Sequence, residues 1–93
     1  MEFEWHEAKR RQNLKEHKVD LASVEQFEFE SALIIPDDRE DYGEERYQAL
    51  GFIGMSLHML VFTWRDEKLR VISLRRAEPM ERKLYAQKIK GQN

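Results

Sequence analysis

Leu57-His-Met-Leu-Val-Phe-Thr-Trp64 restricts the fold more than any other segment, because it is apolar on both faces, with His58 its one titratable exception. A strand of that kind is stable only where other elements cover both of its faces. It lies between two further strand-like segments, 45–53 and 68–76, and the intervening Gly54-Met-Ser56 and Asp66-Glu67 read as hairpin turns. The three segments therefore predict an antiparallel meander with 57–65 in its middle. Residues 32–35 add a fourth short strand, stopped by Pro36 and the polar stretch 37–43.

Upstream, 3–5 reads as a short strand or extended entry, and His6 can cap a helix running to about His17 with Glu7 in its first turn. Trp5, Ala8 and Leu14 are that helix's main candidates for burial. A second helix is expected after Asp20, with Leu21, Val24 and Phe27 at helical spacing, ending before Ser31. Pro79 suits the first turn of a last helix, where Glu78 and Glu81 meet the positive end of its dipole and Met80, Leu84 and Tyr85 turn toward the sheet. The elements sum to an α+β fold of two N-terminal helices, a four-stranded mostly antiparallel sheet and a C-terminal helix. A chain of 93 residues with 41% hydrophobic content supports one domain over 1–93, built on one modest core.

Several function classes are disfavoured at once. No apolar run approaches the roughly 20 residues needed to span a bilayer, and no basic-then-apolar leader opens the chain, so a cytoplasmic protein without membrane contact is expected. The lack of cysteine excludes disulfides, thiolate metal sites and cysteine nucleophiles. Asp37, Asp38, Glu40 and Asp41 hint at a cation loop, but arginine and glutamine stand at its third and twelfth positions, so a solvated loop is the better reading. No glycine-rich phosphate loop, zinc spacing or serine elbow is present, and neither a metal nor a cofactor is expected.

The net charge of −2 conceals a segregation. Residues 1–19 carry five basic and four acidic groups, 20–62 two and ten, and 63–93 nine and four, giving +1, −8 and +5. Basic segments brought together by folding would make a local positive surface for phosphates. Cleaving RNA without a metal requires a base for the ribose 2′-hydroxyl, cations for the charge on the phosphoryl oxygens, and an acid for the leaving oxygen. In a regular strand Arg75 and Arg76 point to opposite faces while Arg70 and Arg76 share one, so one of the adjacent pair is structural and the other free for phosphate. Lys9, Asn13 and His17 form a row at successive helical turns that either holds a phosphate or is a solvated stripe. His17, at the end of a basic helix, is a candidate to touch substrate, whereas His6 reads as a cap and His58 as a semi-buried strand residue. Glu81 and Tyr85 stand one turn apart on the last helix. Glu81 can position Arg75 or Arg76, and Tyr85 is either a core-edge residue or a proton carrier.

These residues also carry a family resemblance. Phe3-Glu-Trp5 with Lys9, Asn13, His17 and Val19, then Gly43-Glu-Glu-Arg46, then Arg70-Val-Ile-Ser73 with Arg75-Arg-Ala77, Glu81 and Tyr85, resemble in order and spacing the BrnT toxins of bacterial type II toxin-antitoxin systems. The resemblance implies a RelE-like fold and a metal-independent ribonuclease that slows translation. It also implies neutralisation by a BrnA-type antitoxin protein, whose complex represses the shared promoter, so that promoter DNA is met only through the antitoxin. Carried over to this chain, Arg70, Arg75, Arg76, His17 and Tyr85 become candidate catalytic residues, with Lys9 and Asn13 as substrate contacts and Glu81 as a positioning partner. His6, Glu16 and Lys18 depart from the family's usual aspartate, lysine and glycine, and the last departure implies either a strained positive φ at Lys18 or a changed helix exit. The reading from another class is a noncatalytic module that docks an antitoxin or other protein. Direct DNA binding has no recognition helix or ribbon motif to support it.

Overall fold

A computed structural model describes residues 1–91. The elements in chain order are β1 (Phe3–Glu4), α1 (Glu7–His17), a 3₁₀ segment (Leu21–Gln26), β2 (Leu33–Pro36), β3 (Tyr47–Ile53), β4 (Ser56–Arg65), β5 (Lys68–Arg76) and α2 (Pro79–Lys90). They form an α+β fold on a five-stranded sheet of order β1-β5-β4-β3-β2, with β4 at its centre as its two-sided apolar pattern requires. Strands β2 to β5 are antiparallel neighbours, and the fifth strand is the N-terminal one, since Phe3 and Glu4 pair in parallel with Leu69 and Arg70. The short strand or extended entry read at 3–5 is thus a strand, and it joins the sheet, which the expected four strands did not include. The turn Asp66-Glu67 takes positive φ at both residues (52° and 65°), and Gly54 supplies φ 60° at the other hairpin.

The second N-terminal helix is replaced by the 3₁₀ segment, which ends at Gln26 and gives way to extended backbone at Phe27. The apolar signal was genuine, but Leu21, Val24 and Phe27 are three residues apart, a spacing that a three-residue turn aligns better than an α-helix. All three are buried against Ala49, Leu60, Phe62, Leu69, Val71 and Leu74, which form the core on one sheet face. Leu50, Leu57, Met59 and Ala77 form a smaller cluster on the other face, joined by Leu33, Phe52 and Tyr85.

Helix α1 begins at His6, whose Nδ1 accepts from the Ala8 amide at 3.2 Å, and ends with Lys18 in the left-handed region at φ 61°. Its burial differs from the expected pattern, because Ala8 is exposed, Leu14 is 47% exposed and the one buried residue is Asn13. The Asn13 amide donates to the Leu74 and Val19 carbonyls at 2.7 and 2.8 Å and accepts from the Leu74 N–H at 3.2 Å. It thus pairs with the β5 edge as a neighbouring peptide unit would, beyond the point where β1 stops. Arg10 grips Asp20 through Nε and Nη2 at 2.8 and 3.0 Å, tying α1 to the 3₁₀ segment.

Helix α2 starts at Glu78, whose amide donates to Glu81 at 2.8 Å, and contains no buried residue. Met80 is 79% exposed and does not pack on the sheet, while Tyr85 does, edge-on to Phe52 at 5.6 Å. No helix among the described residues is long and apolar enough to cross a membrane.

Candidate active site on the bulged face of β5

The geometry of the site derives from one extra residue. Val61 pairs with Ser73 and Phe62 with Val71, so Ile72 is a β-bulge in β5. The bulge resets the alternation of side chains along the strand. Leu69, Val71 and Leu74 therefore all enter one core, and Arg70, Ser73 and Arg75 emerge together on the opposite face. Arg70 accordingly shares its face with Arg75, correcting the regular-strand expectation that it shares one with Arg76.

Gln48, Val61 and Ser73 form a row across β3, β4 and β5, flanked by Arg75 opposite Met59 and by Arg70 opposite Thr63. Arg75 donates to both carboxylate oxygens of Glu81 at 2.8 Å and to the Arg76 carbonyl at 3.2 Å. The hydrogen bond from Arg75 holds the Glu81 carboxyl below its usual range, partly opposed by desolvation, with the Glu78 amide adding to the depression. Reciprocally, the hydrogen bond to Glu81 raises Arg75. Arg70 lies 3.5 Å from Glu4, its register partner on β1.

Beside the bulge, Lys9, Asn13, Glu16 and His17 of α1 and Ile72 and Ser73 of β5 line a cleft of about 180 Å³, in which Glu16 lies 3.9 Å from His17. A second cleft of about 200 Å³ shares Lys9 and Ile72 with it and adds His6, Arg46, Arg65 and Arg70, with Glu44 as its acid. The two run on from one another along the edge of β5. Glu44 lies 3.1 Å from Arg46 and 3.5 Å from Arg65, whereas Lys9 forms no ion pair among the described residues.

The structure thus gathers Lys9, Asn13, His17 and Arg70 along one groove and puts the Arg75–Glu81 pair on the same sheet face. Both amide hydrogens of Asn13 are committed to backbone carbonyls. Arg76 and Tyr85 lie elsewhere, in an apolar cleft of about 640 Å³ between α2 and the β3–β4 hairpin. The Tyr85 hydroxyl donates to the Ser31 carbonyl at 2.8 Å. Among the described residues no three His, Cys, Asp or Glu side chains cluster as a metal site requires.

Sequence reasoning missed Arg46 and Arg65. Arg65 was legible, since pairing with Lys68 across a two-residue turn puts it two positions from Thr63 and hence on the Arg70 face. Arg46 was hidden, because it comes from the acidic middle of the chain and reaches the groove only through the sheet's tertiary arrangement.

The model of the family described as the ribonuclease toxin BrnT of type II toxin-antitoxin systems matches residues 5–81. The chain belongs to the BrnT family. No curated protein matches it. The BrnT match spans both clefts and the Arg75–Glu81 pair, and stops before Tyr85. As a BrnT toxin of a type II system, the chain has an antitoxin partner.

Proposed function

We propose that this BrnT toxin is an endoribonuclease that cleaves RNA without a metal ion in the groove beside the β5 bulge, and that a BrnA-type antitoxin neutralises it. The observation that carries this reading is the bulge at Ile72, which puts Arg70 and Arg75 on one face, Arg70 lining the groove that also holds Lys9 and His17. In the proposed reaction a base removes the ribose 2′-hydroxyl proton, O2′ bonds to phosphorus, and the bond to the 5′-oxygen breaks as that oxygen takes a proton. The products are a 2′,3′-cyclic phosphate and a 5′-hydroxyl. Arg70 and Arg75 stabilise the charge that builds on the phosphoryl oxygens, where fixed cations contribute most. His17 handles protons, Lys9 holds the RNA backbone, Glu81 orients Arg75, and Asn13 positions α1 against β5.

The test is incubation of purified toxin with RNA, with and without chelator. Cleavage that survives chelation and falls about 100-fold in Arg70→Ala supports the reading. Loss of cleavage on chelation sinks the metal-free mechanism, and no cleavage under any condition sinks the enzyme.

A second reading, a noncatalytic module that docks an antitoxin, draws on the apolar cleft. Phe52, Leu57, Tyr85 and Ile89 line it, and Arg76, Arg82 and Lys90 surround them without an ion pair among the described residues. Antitoxin binding with no RNA cleavage would favour that reading. In the nuclease reading, by contrast, the antitoxin covers either the groove or the exposed edge of β2, where strand addition would satisfy unpaired backbone groups.

A further inference from the structure

The stretch after β2 is largely exposed, as a solvated loop is, but its first carboxylate is buried and organises the residues around it. The Asp37 side chain is 0% exposed and accepts from Arg39 Nε and Nη2 at 2.7 and 2.8 Å. It also accepts from the Tyr42 hydroxyl at 3.3 Å and from Gln48 Nε2 at 3.4 Å. A buried carboxylate is costly unless it is paired and hydrogen-bonded, and here the pairing holds an exposed group still. Arg39 is 59% exposed although its partner is wholly buried, so one edge of its guanidinium is locked and the rest is open. Asp37 uses two of the five N–H donors of Arg39, and Tyr42 lies beside the guanidinium.

This arginine belongs to the sheet face that carries Arg75. Gln48 hydrogen-bonds to Asp37, stands in the row with Val61 and Ser73, and lines a cavity of about 110 Å³ together with Glu81. The charge of Arg39 reaches both members of the neighbouring pair, disfavouring the charged form of Arg75 and favouring that of Glu81. Arg39 and Arg75 are thus each held by a carboxylate in a two-pronged grip, and the charge of Arg39 is felt at Arg75. The outer edge of such a fork can donate to a phosphate oxygen. A flexible lysine would have to lose side-chain entropy to do the same, whereas a fixed fork loses less for each hydrogen bond formed.

We propose that Arg39, fixed by Asp37, is a phosphate-binding residue that engages an RNA backbone phosphate flanking the one at Arg75. The inference rests on the RNA-cleaving reading of this face, and assigns the polar segment after β2 to substrate binding.

The test uses a 2′-O-methyl RNA hexamer, which cannot be cleaved at its blocked 2′ positions, and reads its affinity by fluorescence anisotropy over a range of salt. Arg39→Ala alone would strand the buried Asp37 charge, so the comparison is Asp37→Asn against Asp37→Asn with Arg39→Ala, both checked for folding by circular dichroism. Asp37→Asn keeps the cation and should keep the salt dependence. Adding Arg39→Ala should weaken binding about tenfold, and lower the slope of log K against log salt by about 0.7, the value for one phosphate contact on a single strand. Equal affinity and slope in the two variants, or a wild-type toxin that does not bind the hexamer, overturns the proposal. The cleavage reading is judged separately, on unmodified RNA. A toxin that cuts RNA but binds alike with and without Arg39 refutes only this inference, and one that cuts nothing yet needs Arg39 to bind refutes only the nuclease.

Discussion

At the scale of single residues, the positions that hold this toxin together are polar. Asn13 has all of its amide hydrogens in use, and replacing it with alanine leaves the Leu74 N–H and C=O without partners at a buried edge. An unsatisfied buried group costs roughly 1–3 kcal/mol, so Asn13→Ala should lower the unfolding free energy by about 3 kcal/mol in urea denaturation. Lys18 carries the opposite defect, a bulky residue in the left-handed conformation that usually falls to glycine. Lys18→Gly should raise stability by about 1 kcal/mol, and no change would mean that contacts of the lysine stem already offset the strain. Asp20, Asp37 and Glu81 all have depressed pKa values, with arginine hydrogen bonds as the first cause in each. Their stabilisation is complete above the ordinary values of 3.8 and 4.5 and is lost as pH falls below them toward the folded-state values. Denaturation at pH 7 and pH 3 should therefore show a steep acid loss. The gap between wild type and Glu81→Gln should narrow at the lower pH, and a constant gap would show that the carboxylate's charge contributes nothing.

At the scale of elements, legibility followed the strength of the local signal. β4 and its two hairpins were readable because a two-sided apolar run and the turns around it have few other solutions. The His6 cap was likewise readable, since it depends on backbone within a few residues, while the positive φ at Lys18 was one of two outcomes that the departure from the family's glycine implied. A short strand at 3–5 was one of two readings, but its parallel pairing with β5 was not legible, because two residues pair only once β5 exists to receive them. The face shared by Arg70 and Arg75 was not either, because alternation is a rule for regular strands and nothing in Arg70-Val-Ile-Ser-Leu-Arg75 announces that Ile72 is extra. The burial of Asp37 was masked by its acidic neighbours. Gly51 shows the same limit from the packing side. A Cβ there would meet the Phe27 ring at 2.5 and 2.8 Å, so this glycine is required by a contact between β3 and the end of the 3₁₀ segment. Gly51→Ala should cost about 1–3 kcal/mol by overpacking, measured as a fall in the urea midpoint without a change in slope. A wild-type midpoint would show that the Phe27 ring moves aside freely.

At the scale of the whole molecule, the domain carries two surfaces of different chemistry. The basic groove lies along the bulged edge of β5, with Arg70 and Arg75 on the adjoining face, and the apolar cleft lies between α2 and the β3–β4 hairpin, lined by Arg76 and Tyr85. Charge segregation along the chain anticipated a basic surface, and α1 and β5 do supply most of it. If catalysis is electrostatic and confined to the groove, cleavage rates should divide the arginines by location rather than by type. Arg70→Ala and Arg75→Ala should each slow RNA cleavage about 100-fold, comparable to losing an oxyanion-hole donor. His17→Ala should slow it less, since a positioned acid or base contributes through proton transfer alone and water can replace part of its role. Arg76→Ala and Tyr85→Phe, which alter the apolar cleft, should stay near the wild-type rate. All five variants need matched folding controls by circular dichroism, because Arg75 also anchors α2 through Glu81. A collapse of cleavage in Tyr85→Phe or Arg76→Ala, with Arg70→Ala unaffected, would move the active site to the apolar cleft and overturn the groove assignment.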